Sequence, residues 1–150
     1  MYSNINESLI NMVDKSVEQE IKKKGLKLTA PRVKIFNVLY TSGKHLSAED
    51  IFKALAKMGD DIAQATVYRV LSQFESVGLI LKHRFDEEHA VYELNNKEHH
   101  DHLVCVKCNK IIEFTDNVIE KQQDKIAARY KFNITAHSHY IYGVCSDCEK

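Results

Sequence analysis

The chain has 150 residues, with 21 Lys+Arg balanced by 21 Asp+Glu, eight His, four Cys and no Trp. At 44% hydrophobic and 28% charged residues it is composed like a folded chain, not a disordered one, and its zero formal charge argues against a general polyanion binder while leaving room for a local patch. No apolar run approaches the roughly 20 residues of a membrane span, and the start MYSNINESLI is unlike a secretory signal; a cytoplasmic chain with no membrane partner is expected, whose reduced cysteines favour metal over disulfides.

Leu9, Ile10, Val13, Val17 and Ile21 recur at three- and four-residue steps, which predicts a helix over Asn6 to Lys24 with one apolar stripe. Lys22, Lys23 and Lys24 occupy its last turn and Gly25 stops it. Pro31 opens a second helix, preceded by Thr29 or Ala30, with Val33, Ile35, Phe36, Val38 and Leu39 on its core side. Ser47 and Asp50 form a variant capping box for a third helix, in which Ile51, Leu55 and Met58 point inward before Gly59. A fourth helix runs from Gln64 to Val77 with Val67, Leu71 and Phe74 inward, and Gly78 closes it. LILKHRF (79–85) and AVYEL (90–94) around DEEH then read as a β-hairpin. Helices followed by a hairpin is the element order of a winged helix. NNKE (95–98) reads as a hinge; beyond it strands are predicted at 103–106 and 111–114, a helix at 117–130 and a long strand at 133–144. The class is α+β. The second unit, about 50 residues, is too small for a strong core without a partner or a metal.

Cys105 and Cys108 form one CxxC and Cys145 and Cys148 another. Each pair offers two thiolates on a tight turn, and two pairs complete a tetrahedral zinc site that staples the end of the chain to the first strand of the unit. A redox or disulfide CxxC is the weaker alternative for two evenly built pairs in a small domain. EHHDH (98–102) leads into that strand. If it is extended, His100 and His102 face one way and His99 and Asp101 the other, so one strand feeds two metal sites. Glu93 and Glu113 are candidates for one, Glu120 and His137 for the other. Such N/O donors suit iron(II), manganese, zinc or cobalt; a hydrated polar turn is the alternative. His83 and His89 are expected to be solvated, His139 to be structural as readily as a ligand, and His45, on spacing alone, to lie on the surface.

In a winged helix the helix before the wing enters the major groove, N-terminal residues first. Here that helix carries Gln64, Thr66, Tyr68 and Arg69; Arg reads guanine edges and Tyr contacts thymine methyls or backbone. An amphipathic helix with a solvated face is the even alternative. Ile21 to Lys34 also holds Lys22, Lys23, Lys24, Lys27, Arg32 and Lys34 with no acid, a basic patch suited to phosphate, although an ordinary charged surface explains it equally well.

GLKLTAPR, HLSAEDIF, ATVYRVL, HHDHLVCVKC and YGVCSDC, in that order, resemble the ferric uptake regulator family of metal-dependent bacterial repressors, from about Gly25 to Cys148. The resemblance implies a winged-helix DNA-binding domain with an N-terminal helical extension over 1–94, a hinge at 95–98 and a zinc-stapled α/β dimerisation domain over 99–150. It implies a homodimer, or a tetramer, that binds A/T-rich inverted-repeat duplex DNA when a divalent metal fills a regulatory site. Matched motif by motif, Tyr68 and Arg69 with Thr66 would contact the major groove and Lys27 the minor groove. Cys105, Cys108, Cys145 and Cys148 match the structural zinc site. His45, Glu93, His100 and His102 match the regulatory site, with Glu113 as fifth ligand, and His99, Asp101, Glu120 and His137 match a further metal site. His45 thus moves from surface residue to ligand. Peroxide-sensing relatives carry aspartates where Glu93 and Glu113 stand, which favours Fe(II) as the regulatory metal, with Mn(II), Co(II) or Zn(II) as substitutes. The expected function is repression of iron-uptake genes, with zinc or peroxide sensing as the alternative within the family. A metalloenzyme is the rival from another class, disfavoured because no general acid or substrate pocket accompanies the ligands.

Overall fold

A computed structural model describes residues 15–43, 45–85, 90–95 and 98–149. Leu9, Ile10, Val13, His89 and the middle of NNKE lie outside the described residues. The chain divides into two compact units, Met1–Asn96 and Lys97–Lys150.

The first unit contains α1 (15–23), α2 (Ala30–Ser42), β1 (Leu46–Ser47), α3 (Ala48–Lys57), α4 (Gln64–Ser76), β2 (Ile80–Arg84) and β3 (Ala90–Leu94). α1 ends where Gly25 adopts a left-handed φ of 75°, its N–H donating to the Lys22 carbonyl while that of Leu26 reaches back to Ile21. α2 carries Pro31 as its second residue, where a fixed φ suits the first turn. At α3 the capping box forms with an aspartate in the place of the usual glutamate: the Asp50 N–H donates to Ser47 Oγ at 3.1 Å, and the Ser47 N–H to Asp50 Oδ2 at 3.0 Å. The apolar stripes of the helices converge on one core of Val17, Ile21, Ile35, Phe36, Leu39, Ile51, Leu55, Val67, Leu71 and Phe74. Phe36 meets Phe74 edge to face at 5.8 Å. Phe74 is fully buried, so Phe74→Ala is expected to cost about 3–5 kcal/mol, read as a lowered urea midpoint with an unchanged slope.

Two expectations for the helices are corrected. Met58 points outward, 63% exposed, because α3 ends at Lys57 and Met58 is already its C-cap. Val33 is half-buried and packs against the edge of the core. The hairpin pairs as expected, but β1, too short to show any periodicity, joins it in a sheet of order β1-β3-β2. In that register Leu46 lies opposite Tyr92, and Leu81 opposite Glu93. The residue before β1, His45, is thus carried to the Glu93 side of β3. His83, two residues on from Leu81, shares the face of Glu93 from the other side.

The second unit contains β4 (Asp101–Cys105), β5 (Ile111–Phe114), α5 (Asn117–Arg129) and β6 (Tyr140–Gly143). β4 is central, antiparallel to β5 and parallel to β6; a parallel neighbour requires a crossover, which α5 supplies. Asp116 caps α5, its Oδ1 accepting from the N–H groups of Val118 and Ile119. The long strand predicted at 133–144 is shortened to residues 140–143. After α5 the chain returns over the surface, and only where it meets β4 does it find ladder partners. Among the described residues of this unit the buried apolar side chains are Val104 and Cys105 alone. α5 buries none of its residues, and Val118, Ile126, Tyr130, Phe132 and Ile134 stand exposed. No described helix is long and apolar enough to cross a membrane.

Candidate metal centres and nucleic-acid interface

β4 ends at Cys105, Cys108 follows in the turn to β5, and Cys145 and Cys148 follow β6, the strand parallel to β4. The sheet itself therefore brings the two CxxC turns together. All four thiols are free, and their sulfurs lie within 4.8 Å of one another. Cys108 and Cys145 are 3.7 Å apart, against about 3.8 Å for two thiolates on one tetrahedral zinc. The Cys145 N–H donates to Cys105 Sγ at 3.3 Å. That bond, with backbone N–H groups in its own turn, lowers the Cys105 thiol to about 6. Cys148 is pushed up to about 12 by the thiols of Cys108 and Cys145 beside it. Cys105 thus ionises readily while its neighbours hold Cys148 protonated, a condition that a divalent cation relieves.

A second cluster forms where β4 begins. His99 Nε2 lies 3.3 Å from Asp101 Oδ1 and 3.6 Å from Glu120 Oε1, and His137 Nε2 lies 3.4 Å from Glu120 Oε2. Donors at about 2.0–2.1 Å around a tetrahedral ion are spaced about 3.3 Å apart, so these four residues fit one. Asp101 is 1% exposed, and neither carboxylate oxygen has a hydrogen-bond partner among the described residues. A buried carboxylate in that condition is costly without a cation. His139 approaches its other oxygen at 3.7 Å.

The third set is divided between the units. In the first, Glu93 on β3 is buried, with His45 Nε2 at 3.5 Å from one oxygen and His83 Nε2 at 2.7 Å from the other. His45 and His83, read as surface residues from spacing alone, are largely shielded here, their side chains 6% and 11% exposed. β1 carries His45 to the Glu93 side of β3, and His83 shares that face from β2. In the second unit, His102 lies opposite Glu113 in the β4–β5 register, its ring 4.9 Å from that of His100, and His100 Nε2 lies 4.0 Å from Glu113 Oε2. The alternation expected for EHHDH holds, with His100 and His102 together and His99 and Asp101 together.

The nucleic-acid candidates gather at α4. Tyr68 and Arg69 are exposed and Thr66 is half-exposed in the first two turns. The N-cap, Ala63, offers no side-chain hydrogen bond, and the first turn holds no acid, so its positive dipole end is open to phosphate. Of the basic residues between 21 and 34, Lys22 faces Glu18, Lys23 faces Glu20 and Lys34 pairs with Asp60. Arg32 is spent internally: it donates to the Lys27 carbonyl at 2.7 Å and, from Nε and Nη2, to Gln73 Oε1 on α4. The expected patch is thus narrower than its sequence. Arg32 instead ties the loop bearing the exposed Lys27 to the helix bearing Tyr68 and Arg69.

A model of the ferric uptake regulator family matches residues 23–142. The chain belongs to that family. Its members are metal-binding, DNA-binding transcription regulators. A ferric uptake regulation protein of Legionella pneumophila is 51% identical over 132 residues, covering 87% of this chain and 97% of the relative. The ferric uptake regulator of Francisella tularensis, in a structure with iron, is 44% identical with a TM-score of 0.81, covering 84% of this chain and 96% of that one. The regulator of Helicobacter pylori, described with three functional metal-binding sites, is 33% identical with a TM-score of 0.82, covering 93% of each chain.

Proposed function

We propose that this family member is an Fe(II)-responsive, homodimeric, cytoplasmic repressor of iron-uptake genes, acting on A/T-rich inverted repeats and not as an enzyme. The observation that carries the reading is the buried Glu93 against His45 in the first unit, matched by His100, His102 and Glu113 in the second. These imidazole and carboxylate donors contain no sulfur, and such a set suits Fe(II), with Mn(II), Co(II) or Zn(II) as substitutes, whereas the four cysteines suit structural zinc. Bound Fe(II) supplies a concentrated positive charge that satisfies the carboxylates and imidazoles together. In this reading His45 and Glu93 would be the first unit's donors, and His100, His102 and Glu113 those of the second. His99, Asp101, Glu120 and His137 would hold a further ion within the second unit.

Support for the dimer comes from α5, whose apolar face nothing covers among the described residues, in a unit with little core of its own. Support for DNA binding comes from the exposed Tyr68 and Arg69 in the opening turns of α4 and from the exposed Lys27, whose loop Arg32 ties to Gln73 of the same helix. Two such helices in a dimer would enter successive major grooves, and Lys27 the minor groove. Arg69→Ala is expected to reduce discrimination between the operator and random DNA by about 1–3 kcal/mol, measured by anisotropy at one fixed salt concentration. An equal loss on both DNAs would make Arg69 a phosphate contact.

A further inference from the structure

We propose that His83 is a positioning residue for the regulatory metal site, holding Glu93 so that one carboxylate oxygen is presented beside His45. The proposal rests on the reading of His45 and Glu93 as metal ligands. Glu93 projects from the central strand of its sheet and is 3% exposed. Its Oε1 lies 2.7 Å from His83 Nε2, and an ionised carboxylate only accepts, so the proton of this bond sits on the imidazole nitrogen. Its Oε2 is turned to His45 Nε2 at 3.5 Å. The two oxygens are thereby distinguished: one is fixed by a short hydrogen bond, and the other is aimed at the second imidazole.

His83 is itself held. Its ring stacks on Phe85 at 5.6 Å, within 3° of parallel, and His45 packs edge-on against both rings, with centroids 5.6 Å from His83 and 6.3 Å from Phe85. An imidazole packed in this three-ring cluster is restrained in orientation, and its short bond passes that restraint to Glu93. Groups that hydrogen-bond a metal ligand fix its geometry, and their loss commonly weakens metal binding 10–100-fold. Without His83, Glu93 would rotate about its own torsions, and ordering it would fall to the metal-binding step.

The test is an anaerobic Co(II) titration of the full chain with its cysteine site filled by zinc, following the visible absorption band and competition with a chelator. The Co(II) lost in His45→Ala defines the site. His83→Leu is expected to weaken that Co(II) about 10–100-fold while zinc content, helix content and the remaining Co(II) are unchanged. His83→Gln, whose amide N–H reaches the same place as Nε2, is expected to recover most of the loss with an unaltered band. If His83→Leu does not fold, His83→Asn, too short to reach Glu93, carries the same expectation. Wild-type Co(II) affinity in His83→Leu would overturn the proposal. A His83→Gln chain as weak as His83→Leu with a changed band would overturn it in favour of direct ligation. If His45→Ala loses no Co(II), the regulatory-site reading fails first and the role of His83 with it.

Discussion

Cys108→Ala is expected to empty the zinc site and unfold the second unit. Cys108 is exposed in its turn, so the substitution removes no packing and isolates the metal term. The unit has little to set against that loss: among its described residues Val104 and Cys105 are the buried apolar side chains, whereas the hydrophobic cluster lies in the first unit. Structural zinc binding is worth about 10–16 kcal/mol in small domains, comparable with the whole stability of an ordinary one at about 5–15 kcal/mol. Zinc content measured by a colorimetric chelator should fall to zero. Sizing should show the dimer lost, and circular dichroism should lose the contribution of α5 while the first unit still melts cooperatively. A stable zinc-free dimer would contradict the assignment.

His45→Ala is expected to abolish the metal dependence of DNA binding while zinc content, dimerisation and residual non-specific binding survive. His45 belongs to the DNA-binding unit in this account, and its imidazole contributes one of the donors through which that unit responds to metal. If metal tightens DNA binding by a coupling of about 1–3 kcal/mol, five- to 150-fold, linkage requires operator DNA to tighten metal binding by the same factor. The variant should show neither effect. Paired titrations, DNA with and without metal and metal with and without DNA, check both halves, and a wild-type coupling factor would remove His45 from the site.

The helices were legible because their ends are chemically marked: Gly25, Pro31, the Ser47–Asp50 box and Gly78 bracket stripes that the core then uses. The cysteine site was legible because two CxxC turns at the ends of adjacent strands admit little else in a reduced chain. What escaped was a product of pairing. β1 has two residues and no period to detect, so nothing local showed that His45 would be carried against β3. His83 escaped through register: a hairpin symmetric about DEEH would place Lys82 opposite Glu93 and turn His83 to the other face, whereas the actual loop takes in Phe85 as well, so that Leu81 lies opposite Glu93 and His83 shares its face. The long strand at 133–144 failed differently. Alternation describes an extended chain, but a strand also needs a partner, and only Tyr140–Gly143 reaches β4.

The measurement that bears most directly on iron-dependent repression is anaerobic fluorescence anisotropy of the zinc-containing dimer on an A/T-rich inverted repeat, titrated in turn with Fe(II), Mn(II) and additional Zn(II), with random duplex as control at the same salt concentration. Specific binding that rises with Fe(II), and weakens in His45→Ala, is the predicted result; binding gained only with added Zn(II), or binding to the repeat indifferent to every metal, would contradict it.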